Sequence, residues 1–232
     1  MARFTKAYSS FVTRLDEVEL LRSFAAAKEV TDPMGLRKEI NALCRGSVVL
    51  LSAHLEAYIR EVGELALLSL TAKEVPRNTV SSRLFYYASQ NLLKEIQGAT
   101  DPEKVADKVF AFIVSDLDYW SRTGPFVKPI EPDRFNKGFA SPAMPKIKQY
   151  FNRFGYLAYA KDLAILLKAD FQPIVTMVDH LVDTRNKIAH GDPTASKTPQ
   201  EVRTMIKMTR VFCGSTDAVF AAWWKSSCCA IR

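Results

Sequence analysis

Apolar residues recur at intervals of three and four along most of the chain, the period of a helix that buries one face. Leu36, Ile40, Leu43, Leu51, Leu55, Tyr58, Val62 and Leu65 keep that spacing and predict a long helix over 36–74, ended by Pro76. An earlier helix fits 4–29 and stops at Thr31-Asp32-Pro33-Met34-Gly35. A third fits 82–97, stopped near Gly98, and a fourth runs to about Ser121 from Asp101-Pro102-Glu103, an N-cap, a first-turn proline and a first-turn acid. Further helices fit 146–153, 157–168 and 173–190, and Thr198-Pro199-Gln200-Glu201 matches a capping box that opens a last helix to about Lys225. The pattern is all-α.

One stretch breaks the pattern. Five prolines lie between Gly124 and Pro145 with little apolar periodicity, so 124–145 reads as a long basic loop inserted in a helical bundle. Its aromatics Phe126, Phe135 and Phe139 read first as anchors of the loop to the bundle and second as stacking surfaces for exposed bases.

At 232 residues, 48% hydrophobic and 25% charged, the chain can bury a substantial core, and it reads as one domain over 1–232. Met1-Ala2-Arg3-Phe4-Thr5-Lys6 is followed by polar and charged residues, and no stretch approaches bilayer length, so a cytoplasmic setting without membrane contact is expected. None of the four cysteines has C-x2-C spacing and no His/carboxylate cluster has ligand spacing, so neither a metal nor a cofactor is expected. Cys44 and Cys213 fall in helical patterns and read as small core or boundary residues. The ending Cys229-Ala230-Ile231-Arg232 imitates a prenylation box, but its terminal Arg does not fit one.

The net charge of +7 is concentrated. From Arg122 to Arg153, seven basic residues (Arg122, Lys128, Arg134, Lys137, Lys146, Lys148, Arg153) face two acidic ones, an excess of +5. From Arg185 to Arg232, eight face three, again +5, which leaves the rest slightly acidic. Concentrated cations suit a phosphate backbone, because neutralising phosphates releases counterions; a solvated surface is the plainer alternative.

Chemistry concentrates in Asp183-Thr184-Arg185-Asn186-Lys187-Ile188-Ala189-His190-Gly191-Asp192. Arg185 is a fixed cation and His190 can exchange a proton near neutrality, a pair suited to phosphodiester chemistry. At about 100° per residue, Asn186 and His190 share a helix face, while Arg185 must reach around to join them. Gly191 followed by Asp192-Pro193 reads as a helix stop, with His190 in the last turn. The plainer reading is that Lys187 and His190 merely complement the helix dipole, and Asp183 and Lys187 form a surface pair. The other histidines offer less, His54 reading as a core residue and His180 standing about three turns before His190.

Arg-Asn-x-x-x-His-Gly at a helix end resembles the Arg-x4-6-His signature of the HEPN superfamily. The upstream run Arg45-Gly46-Ser47-Val48-Val49-Leu50-Leu51-Ser52-Ala53-His54-Leu55-Glu56-Ala57-Tyr58 is similar to the earlier core helix of its RiboL-PSP-HEPN branch. The resemblance covers residues 36–75 and 155–225.

It implies an HEPN-like helical bundle, a homodimer, and a metal-independent endoribonuclease of toxin or antiphage-defence type, controlled by an antitoxin or defence-system partner. Two motif helices would face each other across a two-fold axis. Arg185, Asn186 and His190 would be catalytic, and products would carry 2′,3′-cyclic phosphate and 5′-hydroxyl ends. Lys128, Arg134, Lys137, Lys146, Lys148, Arg153 and Lys187 are the expected RNA contacts. HEPN toxins silenced by tyrosine nucleotidylation often carry Tyr two residues after the His; here that residue is Asp192, which argues against such control and places a carboxylate near His190. A non-catalytic HEPN module that binds nucleotide, RNA or protein is the alternative.

Overall fold

The computed structural model describes residues 4–121 and 123–231; Met1-Ala2-Arg3, Arg122 of the basic segment and the terminal Arg232 lie outside the described residues. The helices are α1 (Lys6–Thr31), α2 (Arg37–Ala72), α3 (Ser82–Ala88), α4 (Gln90–Gly98), α5 (Pro102–Trp120), α6 (Pro132–Asn136), α7 (Met144–Arg153), α8 (Tyr159–Leu167), α9 (Phe171–Ala189) and α10 (Pro199–Ser227). Among the described residues there is no strand, only an isolated bridge between Pro76 and Pro125.

The long second helix is the spine. Its apolar stripe, Val48, Leu51, Leu55, Tyr58 and Val62, is fully buried, and α1, α9 and α10 pack around it to form one continuous core. Phe11 and Val18 of α1, Val178 and Leu181 of α9, and Phe212, Phe220 and Trp224 of α10 meet there. Two of the polar side chains inside this core are paired. The buried Asp217 of α10 accepts the Thr5 N–H at 2.9 Å, and the Tyr58 hydroxyl donates to the Cys213 carbonyl at 2.9 Å. Burial pushes the Asp217 carboxyl above its usual range, the Cys44 thiol up to about 11 and the Cys213 thiol well above its ordinary value, and both cysteines are packed inside the core.

Helix starts follow the caps in the sequence. Asp101 accepts from the N–H groups of Glu103 and Lys104, and Thr198 and Glu201 form the reciprocal capping box at α10. The single helix predicted over 82–97 is instead two, α3 and α4, divided at Ser89. Ser89 is buried, leaves helical geometry (φ −112°, ψ 8°), and its hydroxyl accepts from the Trp120 indole N–H at 3.0 Å. A tertiary partner outweighs the local period there.

The 124–145 segment is more ordered than a plain loop. It contains α6, and Phe126, Phe135 and Phe139 are all buried, which makes them anchors and removes them as stacking surfaces for bases. Asn136 bridges it to the spine, donating to Glu64 at 2.8 Å while accepting the Tyr150 hydroxyl at 2.7 Å. Arg60 donates to the Phe139 carbonyl at 2.6 Å.

Candidate active site

Helix α9 buries Ile174, Val178, Leu181 and Val182 against the core and turns His180, Asp183 and Lys187 outward. It ends in a Schellman motif. The Asp192 N–H reaches the Lys187 carbonyl at 3.0 Å and the Gly191 N–H reaches Ile188 at 3.1 Å, with Gly191 at φ +80°. Only a residue without a Cβ takes that left-handed position freely, so Gly191 ends the helix and His190 becomes its exposed C-cap.

Arg185 and Asn186 lie half-buried one turn earlier, and Arg185 Nη1 donates to the Asn186 amide oxygen at 3.1 Å. That bond orients the guanidinium and leaves the Asn186 amide N–H groups as donors. The His190 backbone N–H donates to the Asn186 carbonyl at 2.9 Å. The three residues thus form one patch at the end of α9, but no hydrogen bond among those described joins Arg185 to His190 within the chain. The Asp192 carboxylate is occupied by the Thr194 hydroxyl at 2.7 Å and N–H at 2.8 Å, which hold it below the usual carboxylate range. Its partner is the turn, not His190.

Two residues to which the sequence pattern assigns no role prove central. Arg45 Nη1 of α2 donates to the carbonyls of Asp192 at 2.7 Å and Ala195 at 3.1 Å, and Asn41, one turn away on the same helix face, accepts the Ser196 hydroxyl at 2.9 Å. They bolt the segment after His190 to the spine. Their spacing marks them as one face of α2, but their partners lie about 150 positions later, beyond any local pattern. Beside them a cleft of about 340 Å³ opens between Pro33, Arg37, Asn41, Ser196 and Lys197.

The remaining cations divide. Arg134 spends its fork on the fully buried Asp116 at 2.8 and 3.1 Å, and Arg153 donates to the Phe135 and Lys137 carbonyls while lying over Tyr87 and Tyr150. Burial lowers the Arg153 pKa. These two were expected to meet RNA; both Nη groups of Arg134 and Nη1 of Arg153 instead hold the Pro-rich segment. Lys128 reaches the Ser115 carbonyl at 3.3 Å and lies 5.6 Å from the Tyr119 ring. Lys187 pairs with Asp183 at 2.8 Å, as its spacing predicts, and the bond raises its pKa. Lys137, Lys146 and Lys148 are exposed. His54 is buried in α2, as its place on the stripe predicts, with Nε2 3.5 Å from Glu17. Among the described residues no group of three or more His, Cys, Asp or Glu side chains is placed to hold a metal, and no helix is long and apolar enough to cross a membrane.

A family model described as RiboL-PSP-HEPN matches residues 12–222. The chain belongs to the RiboL-PSP-HEPN family. No curated protein and no solved structure matches it. The match runs across the region between the two segments that carry the resemblance, so α3 to α7 and the Pro-rich segment lie inside the RiboL-PSP-HEPN span. Membership accounts for the all-helical fold and suggests a nuclease or an RNA-binding module.

Proposed function

We propose that the protein is a single-domain endoribonuclease of toxin or antiphage-defence type, acting without a metal or cofactor through a homodimeric site built from two copies of the α9 terminus. The observation that carries this reading is the exposed C-cap His190 beside an Arg185 held by Asn186, in a RiboL-PSP-HEPN chain. In the proposed reaction the RNA 2′-oxygen attacks the adjacent phosphorus and the bond to the 5′-oxygen breaks. One His190 takes the 2′-hydroxyl proton, the other protonates the leaving 5′-oxygen, and Arg185 stabilises charge on the phosphoryl oxygens. Products carry 2′,3′-cyclic phosphate and 5′-hydroxyl ends. Doubling supplies both acid and base, which one copy with a single imidazole at this patch lacks. An antitoxin or defence-system protein would hold the activity in check.

A second reading is favoured by one observation: Arg185 and His190 share no hydrogen bond in the chain. In it the patch binds a nucleotide, RNA or a protein without cutting. Incubation of purified protein with total RNA in EDTA, with Arg185→Ala and His190→Ala controls and end-group analysis, separates the two. Cleavage to cyclic-phosphate ends, lost in both variants while helicity and sedimentation stay unchanged, supports the nuclease. Retained binding without cleavage supports the module, and full activity in His190→Ala sinks the mechanism.

A further inference from the structure

Helix α5 is apolar on two sides. Val105, Val109 and Phe112 are half-buried, whereas Phe110, Ile113, Val114 and Leu117 are 66%, 42%, 88% and 57% exposed. The exposed four stand at i, i+3, i+4 and i+7, the spacing of a helix face meant for burial. A contiguous exposed apolar stripe on a helix marks an interaction site. The surroundings agree, since α5 packs mainly on α4 and no side chain from Asn91 to Ser115 is fully buried. This helical pair lacks a third element.

The charges bordering the stripe select its occupant. Taking Phe110 as zero at about 100° per residue, Glu103, Asp107 and Asp118 fall roughly 20–80° away on one side, Lys104 stands behind them at about 120°, and Lys108 falls on the opposite face. Lys108 Nζ is engaged there by the Glu95 carbonyl at 3.0 Å. The stripe therefore has an acidic edge on a chain whose net charge is +7. A second copy laid antiparallel across it would set Asp107 of one chain near Asp118 of the other, a like-charge contact. A phosphate backbone would be repelled as well. We propose that the outer face of α5 binds an amphipathic helix of a different protein, with an apolar seam that covers Phe110, Ile113, Val114 and Leu117 and basic residues that face Glu103, Asp107 and Asp118. The apolar seam supplies affinity and the acidic edge sets partner choice.

The test uses full-length protein and two synthetic helical peptides of about 18 residues, identical in a leucine seam at three-four spacing and differing in lysine or glutamate along its edges. Fluorescence anisotropy should give a dissociation constant on the order of micromolar for the lysine peptide and at least about tenfold weaker binding of the glutamate peptide. Val114→Asp should weaken the lysine peptide by about tenfold or more. The double change Asp107→Lys, Asp118→Lys keeps the apolar stripe and should reverse the peptide preference, so a folding defect cannot mimic it. Equal binding of both peptides, binding to neither, or undiminished binding in Val114→Asp overturns the proposal. So does a wild-type dimer that Val114→Asp splits, because a second copy would then be the occupant.

Discussion

Arg45 in the second helix holds the backbone of Asp192 and Ala195 at 2.7 and 3.1 Å, fixing the turn that follows His190 from outside its own helix. Hydrogen bonds from a charged donor contribute about 1.5–3 kcal/mol, enough to set where that turn rests. Arg45→Ala should slow the proposed single-turnover RNA cleavage by about 10- to 100-fold, because small displacements of positioned groups carry costs of that size. RNA affinity, read by anisotropy, should change little. Arg45→Lys retains the charge but not the reach and planar geometry of the guanidinium and should fall between. A variant with wild-type cleavage would show that the turn holds itself.

Asp116 is fully buried and meets the world only through its partners. Burial pushes its carboxyl up, but the Arg134 bonds, with Ser89 and Ser115 beside them, outweigh that and hold it below the usual range. Arg134→Ala strands a buried charge and should destabilise the fold by about 3–5 kcal/mol in urea unfolding. Arg134→Met with Asp116→Leu should recover most of the loss. Because the folded pKa is the lower one, the pair contributes fully above about pH 3.9 and its contribution is lost as pH falls through the folded value.

His54 gives a second pH signature at a higher range. Burial, then the nearby Arg14, lowers its pKa, against an opposing pull from Glu17. The unfolded chain takes up the proton first, so stability attributable to His54 is intact above about pH 6.5 and declines as pH drops towards the folded value. His54→Gln should flatten that decline in urea midpoints measured from pH 7.5 down to about 5. An unchanged slope would place its origin elsewhere.

Lys146 and Lys148, like Lys128 and Lys137, remain exposed and are among the side chains of this region expected to meet the RNA backbone. Lys146→Glu with Lys148→Glu should weaken RNA binding and reduce the slope of log affinity against log salt by about 0.7 for each phosphate that is no longer neutralised. Arg153→Glu should behave differently: its side chain bonds the Phe135 and Lys137 carbonyls, so the main effect is loss of stability.

The ends of the long helices to within a few residues, the capping box, the helix stop at Gly191 and the Asp183–Lys187 pair were legible, because each depends on residues within one or two turns. The division at Ser89 was not, since it depends on Trp120, 31 positions away. The basic segment misled for a related reason. Charge counting treats every cation as facing water, whereas Arg134 and Arg153 turn inward on carboxylate and carbonyl partners brought close only by the fold. The α9 patch was readable as residue types at a helix end; Arg45 and Asn41, which hold the segment after it, were invisible until α2 and that segment met.

Gly63 sits in the middle of the spine, where a glycine costs about 0.5–1 kcal/mol relative to alanine. A Cβ there would lie 2.1 Å from the Tyr150 hydroxyl, the group that clasps Asn136 and through it the whole Pro-rich segment. The bare position and the strap that crosses it therefore depend on each other. A relative that retains Tyr150 and Asn136 in this arrangement must retain glycine here, and one whose connection between α5 and α7 takes another route is free to fill the site. A single position on α2 is thus expected to report which relatives carry the strap.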